Sequence, residues 1–508
     1  MRKIKRKHKI AIYGIVASVC IGAIVYLLWQ SGGFLPRWIT WENGSFWDGS
    51  RQYEVILAHK EVGVRLSGDV VWTSPKDLRV QQALSCDIDH DGQDELVLLC
   101  WRIGRYGKSK PFWVEENERK WSQHIAVYEY NEGNVRPKWM SSYIGFDVEK
   151  VAGGDRAAYV RAADEVSEHE REGSRAAEQR LQNRLFLTDT DGKMTCWFWD
   201  SWGFTKEMTD VSFAVFGDNL IHEPIYQYGL RNDDFSFLYE NITDVIKESD
   251  IAVLNQETPF TDNPSVYSDY PRFATPVQVG TAVSDAGFDV VTCATNHAFD
   301  QGMKGIDFTK KFFEEEDIVC LGIQSTHEKE YHPYDIIVRN GLRLAMLNYT
   351  YGINGNRISK ENPYAVHLLE DEKQVRTDIE TAKADSDFVI VFAHWGTEYA
   401  EEPDKFQKKW TQLFLDSGVD VTVGTHPHAL QPYEMLEGSD GHRMLVYYSI
   451  GNYISAQSEK SCVKGGMADF TVSLTTDGYR ITEYGLRPLV ITWEEGRKCV
   501  VDFEISAE

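Results

Sequence analysis

The chain has 508 residues, 42% of them hydrophobic and 13% aromatic, with 53 Lys and Arg against 78 Asp and Glu. That length calls for two or three domains, and an apolar fraction in the globular range excludes wholesale disorder. The formal net charge of −25, with no basic stripe beyond the N-terminus, argues against nucleic acid as a partner and requires any anionic substrate to be held by a local site or a metal.

In chain order, residues 1–9 form a basic tail with six Lys and Arg, and residues 10–29 then run twenty positions without a charge. This reads as one transmembrane signal anchor, with the tail in the cytoplasm and the body outside the cell membrane. The alternative is a cleaved signal peptide ending near Ser31-Gly32-Gly33. Residues 30–49 are a linker.

Residues 50–205 read as a small all-β domain, because eight of the fifteen tryptophans lie between positions 72 and 202 and short strands alternate with turn residues. A charged insertion at 155–184 interrupts it. Asp87-Ile88-Asp89-His90-Asp91-Gly92 places carboxylates at alternate positions around a glycine turn, so Asp87, Asp89 and Asp91 are candidate Ca²⁺ ligands. The bland alternative is an Asp/Gly-rich hairpin without an ion. The loop resembles those of FG-GAP/VCBS-type repeats, and Asp189-Thr190-Asp191-Gly192 looks like a degraded second copy. The eight cysteines include no C-x-x-C pair. Those in apolar runs, among them Cys293 and Cys320, read as buried small hydrophobes.

From residue 206 to 500 strands alternate with helices: SFAVFG, IAVLN, DVVTCA, IVCLG, LAMLNY, DFVIVFA and DVTVG, separated by helical stretches such as Phe235 to Lys247, Val277 to Ala286 and Lys405 to Asp416. This predicts an α/β sandwich. The residues just beyond the strands carry the chemistry: Asp218 with His222 four residues on, Glu257, Asn296-His297, His394, and His426 with His428. Ligands gather outside the carboxyl ends of strands in open α/β sheets, so these segments are expected to converge. Carboxylate, imidazole and amide oxygen without thiolate suit Mn²⁺, Fe²⁺ or Zn²⁺, as one ion or two, with Glu257 or Asp218 bridging a pair. His297 is then placed to act on the leaving group as acid or charge stabiliser, and Asp300 to orient it; these two are the candidate catalytic residues. Tyr351 and Asn354, in the segment YTYGINGN, are candidate substrate-binding residues, with a simple turn as the alternative.

The motifs FGDNLIH, VLNQETP, GFDVVTCATNHAFDQG, FAHWGTEY, GTHPHALQPYE and YYSIGNYI, in that order, resemble the CapA family of poly-γ-glutamate capsule biosynthesis proteins, whose domain is similar to the calcineurin-like metallophosphoesterases. The resemblance covers roughly Asp210 to Ile491. It implies a metallophosphoesterase-like αββα sandwich and a two-metal site with Asp218, Glu257, Asn296, His394, His426 and His428 as ligands and His297 as the catalytic histidine. The phosphoesterase pattern usually begins Asp-x-His and has Asp in place of Glu257, whereas here the first histidine is His222. The expected function is metal-dependent, phosphoesterase-type hydrolysis of a phosphoester or anionic polymer in capsule or envelope metabolism. The other reading is a non-catalytic polymer-binding or assembly component that works with capsule-synthesis subunits.

Overall fold

The computed structural model describes residues 19–26, 28–29, 32–89, 91–104, 120–131, 133–141, 144–154, 184–200, 203–475, 478–494 and 498–504. Most of the insertion at 155–184, and residues 10–18 and 27 of the apolar stretch, lie outside these. Residues 19–26 and 28–29 are helical, and Val19, Ile21, Ile24, Val25 and Leu28 are exposed. Among the described residues no helix is long and apolar enough to cross a membrane. The chain divides into two compact units, residues 1–208 with 474–478, and residues 209–473 with 479–508.

Among the described residues the first unit contains three antiparallel four-stranded sheets, each running in sequence order: Gly44–Trp47 to Asp69–Thr73, Arg79–Cys86 to Asn134–Met140, and Val148–Gly154 to Gly203–Glu207. Strand Glu95–Ile103 explains the stacking. Leu96, Leu98 and Cys100 pack with Val55 and Val64 of the first sheet, while Val97 and Leu99 on its other face pack with Val151 and Leu185 of the third. A strand covered on both faces needs a continuous apolar run, and ELVLLCW supplies it.

Two of the three candidate calcium ligands in this unit, Asp87 and Asp89, draw together with Glu95. Asp91 is exposed and caps its own turn, its Oδ1 accepting the Gln93 N–H at 2.8 Å. The residues that draw together are Asp87, Asp89 and Glu95. Lys138, from the strand Asn134–Met140, reaches into this group, with Nζ 2.6 Å from Glu95 Oε1 and paired with Asp89 as well. An ammonium therefore stands among the carboxylates. At the second loop, Asp189 Oδ1 is taken up by the backbone N–H groups of Asp191 and Lys193, both at 2.9 Å.

The second unit is built on two sheets. The first runs in the order β4 (Val319–Leu321), β3 (Val290–Thr292), β2 (Ile251–Gln256), β1 (Val211–Asn219), β12 (Lys464–Thr475), β13 (Gly478–Trp493), β14 (Cys499–Phe503), with β11 (Asn452–Ile454) beside the end of β1. The second runs β5 (Tyr334–Arg339), β6 (Leu342–Thr350), β7 (Phe388–His394), β8 (Val421–Thr425), β10 (Arg443–Tyr447), β9 (Tyr433–Glu437). Strands β1 to β4 are mutually parallel, as are β6, β7, β8 and β10.

Helices α1 (Glu223–Asn232), α2 (Thr243–Glu248), α3 (Gln278–Ala286) and α4 (Gly302–Glu315) share a core with alternate residues of the first sheet, such as Ala214 and Phe216. Helices α5 (Glu372–Asp385) and α6 (Lys405–Ser417) do the same for the second sheet. The intervening residues Phe213, Val215, Ile390 and Phe392 are equally buried, so the other faces of the two sheets cover each other and the layers are αββα. Local signals fix the helix ends: Asp404 and Gln407 form a capping box on α6, and Gly418 closes it at φ 83°. The stretch expected as one helix from Phe235 to Lys247 is instead a 3-10 turn, Ser236–Leu238, followed by α2. Phe235, Phe237, Leu238 and Tyr239 are all buried, and one helical face cannot bury four such closely spaced side chains.

Candidate metal centre

The parallel strands of both sheets deliver their carboxyl ends to one place, and two glycines permit the approach. β1 shifts register between Phe216 and Asp218. At Gly217 between them, a Cβ would stand 1.9 Å from the Gly451 carbonyl oxygen. The Asp218 N–H donates to that same oxygen at 3.0 Å. In β8, a Cβ on Gly424 would meet the Tyr448 oxygen at 2.0 Å. Only glycine fits at either position; Asp218 follows Gly217 directly, and His426 comes two residues after Gly424. His426 and His428 then adopt φ of 96° and 57°. Left-handed backbone in residues with a Cβ costs of order 1–3 kcal/mol each and persists where surrounding structure imposes it.

Asp218, Glu257 and His394 are wholly buried. Asp218 Oδ1 accepts from Asn255 Nδ2 at 2.7 Å, and its Oδ2 lies 2.9 Å from His428 Nδ1, which also touches Asn452 Oδ1 at 3.0 Å. His394 is held by Thr425 Oγ1 at Nδ1 and by Asn296 Oδ1 at Nε2, both at 2.9 Å. Glu257 stands between these groups: its Oε1 is 3.7 Å from His394 Nε2 and 3.9 Å from His428 Nε2. Ligand atoms of Glu257, His426 and His428 lie within 4.8 Å of one another.

Among the described residues neither oxygen of Glu257 has a hydrogen-bond partner, nor does His426 Nδ1. A carboxylate stripped of water and left unbonded costs several kcal/mol unless it keeps a proton or meets a cation. Burial first, and then the carboxylate of Asp218, push the Glu257 carboxyl well above its ordinary range. For His428 burial opposes the charged form, but Glu257 and Asp218 outweigh it and lift the imidazole to about 9. His394 and His426 are pushed well below the usual histidine range by burial and then by neighbouring imidazoles. The buried Glu257 and His428 thus hold a proton between them more tightly than either group would alone. Orphaned carboxylate oxygens, imidazoles and an amide oxygen are a donor set that fits a divalent transition metal.

Beside this cluster His297 Nδ1 lies 2.7 Å from Asp300 Oδ2, which also takes the Phe273 N–H at 2.8 Å. The Phe273 ring stands edge-on to His297 with centroids 4.7 Å apart. Asn354 links the two parts, its Oδ1 accepting from Asn296 Nδ2 and its Nδ2 lying beside His297 Nδ1, both at 3.3 Å. Tyr351 covers His426, ring centroids 4.5 Å apart, and burial raises its phenol to about 12. His222, at the start of α1, has its Nδ1 accepting the Ala456 N–H at 3.2 Å and its ring edge-on to Phe273, near enough to His428 and His297 for their charges to act on it. Asn255, Thr425 and Asn452 received no role from sequence reasoning. All three lie inside the recognised motifs, but what they hold becomes visible only across strands.

Residues 212–457 match the family described as "Bacterial capsule synthesis protein PGA_cap". The chain is 28% identical over 264 residues to the "Capsule biosynthesis protein CapA" of Bacillus anthracis, covering 50% of this chain and 61% of that one. It is 29% identical over 228 residues to the "PGA biosynthesis protein CapA" of Bacillus subtilis (strain 168), covering 43% and 57%. Less than two thirds of either relative's length is therefore matched. Among solved structures, the calcineurin-like phosphoesterase YfkN from Bacillus subtilis aligns with 55% of this chain and 90% of its own at 15% identity and a TM-score of 0.36. Over residues 212–457 the chain matches the CapA (PGA_cap) family of bacterial capsule synthesis proteins.

Proposed function

We propose that the second unit is a metal-dependent hydrolase acting on a phosphoester, or a related bond of an acidic polymer, in capsule or poly-γ-glutamate metabolism. The observation that carries this reading is Glu257, buried, unbonded at both oxygens and set between His394 and His428. Asp218, Glu257, Asn296, His394, His426 and His428 would hold Mn²⁺, Fe²⁺ or Zn²⁺, as one ion or two. A bound ion of this kind supplies Lewis acidity and lowers the pKa of water. Asp300 fixes the ring of His297 through Nδ1, which leaves Nε2 free to give a proton to the departing oxygen or to steady its charge. Asn354 accepts from Asn296 Nδ2 and lies against the His297 ring, so the proton-handling group and the ion-binding group keep one spacing.

The same proposal places the chain in the cell membrane by a single span at residues 10–29 with its body outside. The uncharged run, its basic flank and the exposed apolar side chains between Val19 and Leu28 support this. The relatives' names give biosynthesis rather than hydrolysis, which favours as second reading a non-catalytic component that binds polymer or capsule-synthesis subunits. The test is a screen of the full chain against phosphomonoesters, phosphodiesters and poly-γ-glutamate, with added Mn²⁺ or Zn²⁺ and with chelator. Metal-dependent turnover on any of them supports the hydrolase. Inertness of metal-loaded protein on all of them, with retained binding of the polymer, supports the second reading.

A further inference from the structure

Cys293 follows directly on β3, and Cys320 lies in the neighbouring parallel strand β4. The Cys293 N–H donates to the Leu321 carbonyl at 3.0 Å, so the two strands are still paired where the thiols meet. Both side chains are 3% exposed, on the helix-covered face of the sheet, and their sulfurs are 3.6 Å apart. A disulfide needs about 2.05 Å between sulfurs; the ladder sets Val291 opposite Cys320, so Cys293 is its diagonal neighbour at the end of β3. Bonding distance is thus reached by side-chain rotation together with a local shift of the chain where it leaves β3. Three residues after Cys293 come Asn296 and His297.

We infer that Cys293 and Cys320 are an oxidisable pair that closes into a disulfide as the chain folds, stapling β3, from which the Asn296–His297 segment departs, to β4. The inference rests on the outward location proposed above only for its occurrence in cells, where export places the thiols in an oxidising compartment. The chemistry is exchange with a disulfide-bearing oxidant. One cysteine thiolate attacks a sulfur of the oxidant, forming a mixed disulfide and releasing one oxidant thiol. The second cysteine thiolate then attacks the first cysteine's sulfur and releases the other oxidant thiol. Two protein thiols are oxidised, one disulfide is reduced, and two protons leave the protein for the oxidant's thiols. Burial pushes the Cys293 thiol well up and disfavours its thiolate, so exchange belongs to folding, before the helices cover the sheet.

The test is refolding of the full chain with oxidised glutathione or with excess thiol reductant, followed by alkylation in denaturant, mass analysis and peptide mapping. The expected result with oxidised glutathione is one linked peptide pair containing Cys293 and Cys320, with a melting temperature roughly 5–10 °C above the reduced protein. Cys293→Ala and Cys320→Ala should each melt alike under both conditions, while Cys86→Ala should keep the difference. Eight alkylated cysteines after refolding with oxidised glutathione, or a redox-dependent melting shift that persists in both Cys293→Ala and Cys320→Ala, would overturn the pair. Protein recovered from cells under acid quench reads the location separately. Linkage in the refolded protein but free thiols in the cellular protein would keep the pair and count against the outward location.

Discussion

Asp300 Oδ2 lies 2.7 Å from His297 Nδ1, three residues along the chain, and the same oxygen holds the Phe273 backbone N–H. The carboxylate therefore sets both the tautomer and the tilt of the ring, a positioning role for a group whose partner faces the reacting bond. His297→Ala is expected to keep its metal while turnover falls roughly 10²–10⁴-fold. Asp300→Asn should also keep its metal, lose roughly 10–100-fold in turnover, and displace the pH profile, because an amide oxygen holds the Nδ1 proton less strongly. Metal content and kcat against pH, measured on both variants, check this.

The protons held by the ion-free cluster predict a pH dependence with a definite sign. His428 is lifted to about 9 in the folded protein, against about 6.5 for an ordinary histidine, so between those values the folded state binds more protons than the unfolded chain. Stability of the metal-free protein should then fall as pH rises from about 6.5 to 9. Glu257, raised above its ordinary range, acts in the same sense. His394 and His426, being lowered, act oppositely, but their loss of stability comes as pH falls below about 6.5. Metal displaces the protons, so the loaded protein should lack the alkaline slope, and calorimetry in buffers of different ionisation enthalpy should register proton release on loading.

Lys138 predicts how the first unit responds to calcium. Its ammonium contacts Glu95 and Asp89, so Ca²⁺ must displace it to reach Asp87, Asp89 and Glu95. Wild-type protein should bind Ca²⁺ more weakly than the roughly 10⁻⁴–10⁻³ M typical of extracellular modules, and Lys138→Met should bind more tightly. Calorimetric titration of both proteins measures this, and equal affinity would count against the lysine as a built-in counter-ion.

Much of the second unit was legible because β1, β2, β7 and β8 are short apolar runs with a candidate residue at or just past their ends. Strand direction brings Asp218, Glu257, Asn296, His394, His426 and His428 to one place. What escaped the sequence depends on contacts across strands. The left-handed backbone of His426 and His428, the squeeze on Gly217 and Gly424, and the support of Asp218 by its strand neighbour Asn255 arise only where segments distant in sequence lie side by side. Lys138 is 43 residues from Glu95, and the two cysteines are 27 apart; strand register, not sequence spacing, makes them neighbours. The stretch from Phe235 to Lys247 misled because its buried residues are too many for one face.

The most direct test is transition-metal content of the full chain and of Glu257→Gln, purified in parallel after growth or dialysis with Mn²⁺, Fe²⁺ or Zn²⁺. The amide preserves shape and burial but removes the charge that stands between His394 and His428. One or two equivalents in the wild type, with retention weakened roughly 10²-fold or more in Glu257→Gln, is the result the buried, unbonded carboxylate predicts. Wild-type protein that takes up none of these metals, or a Glu257→Gln variant that holds as much as the wild type, would contradict it.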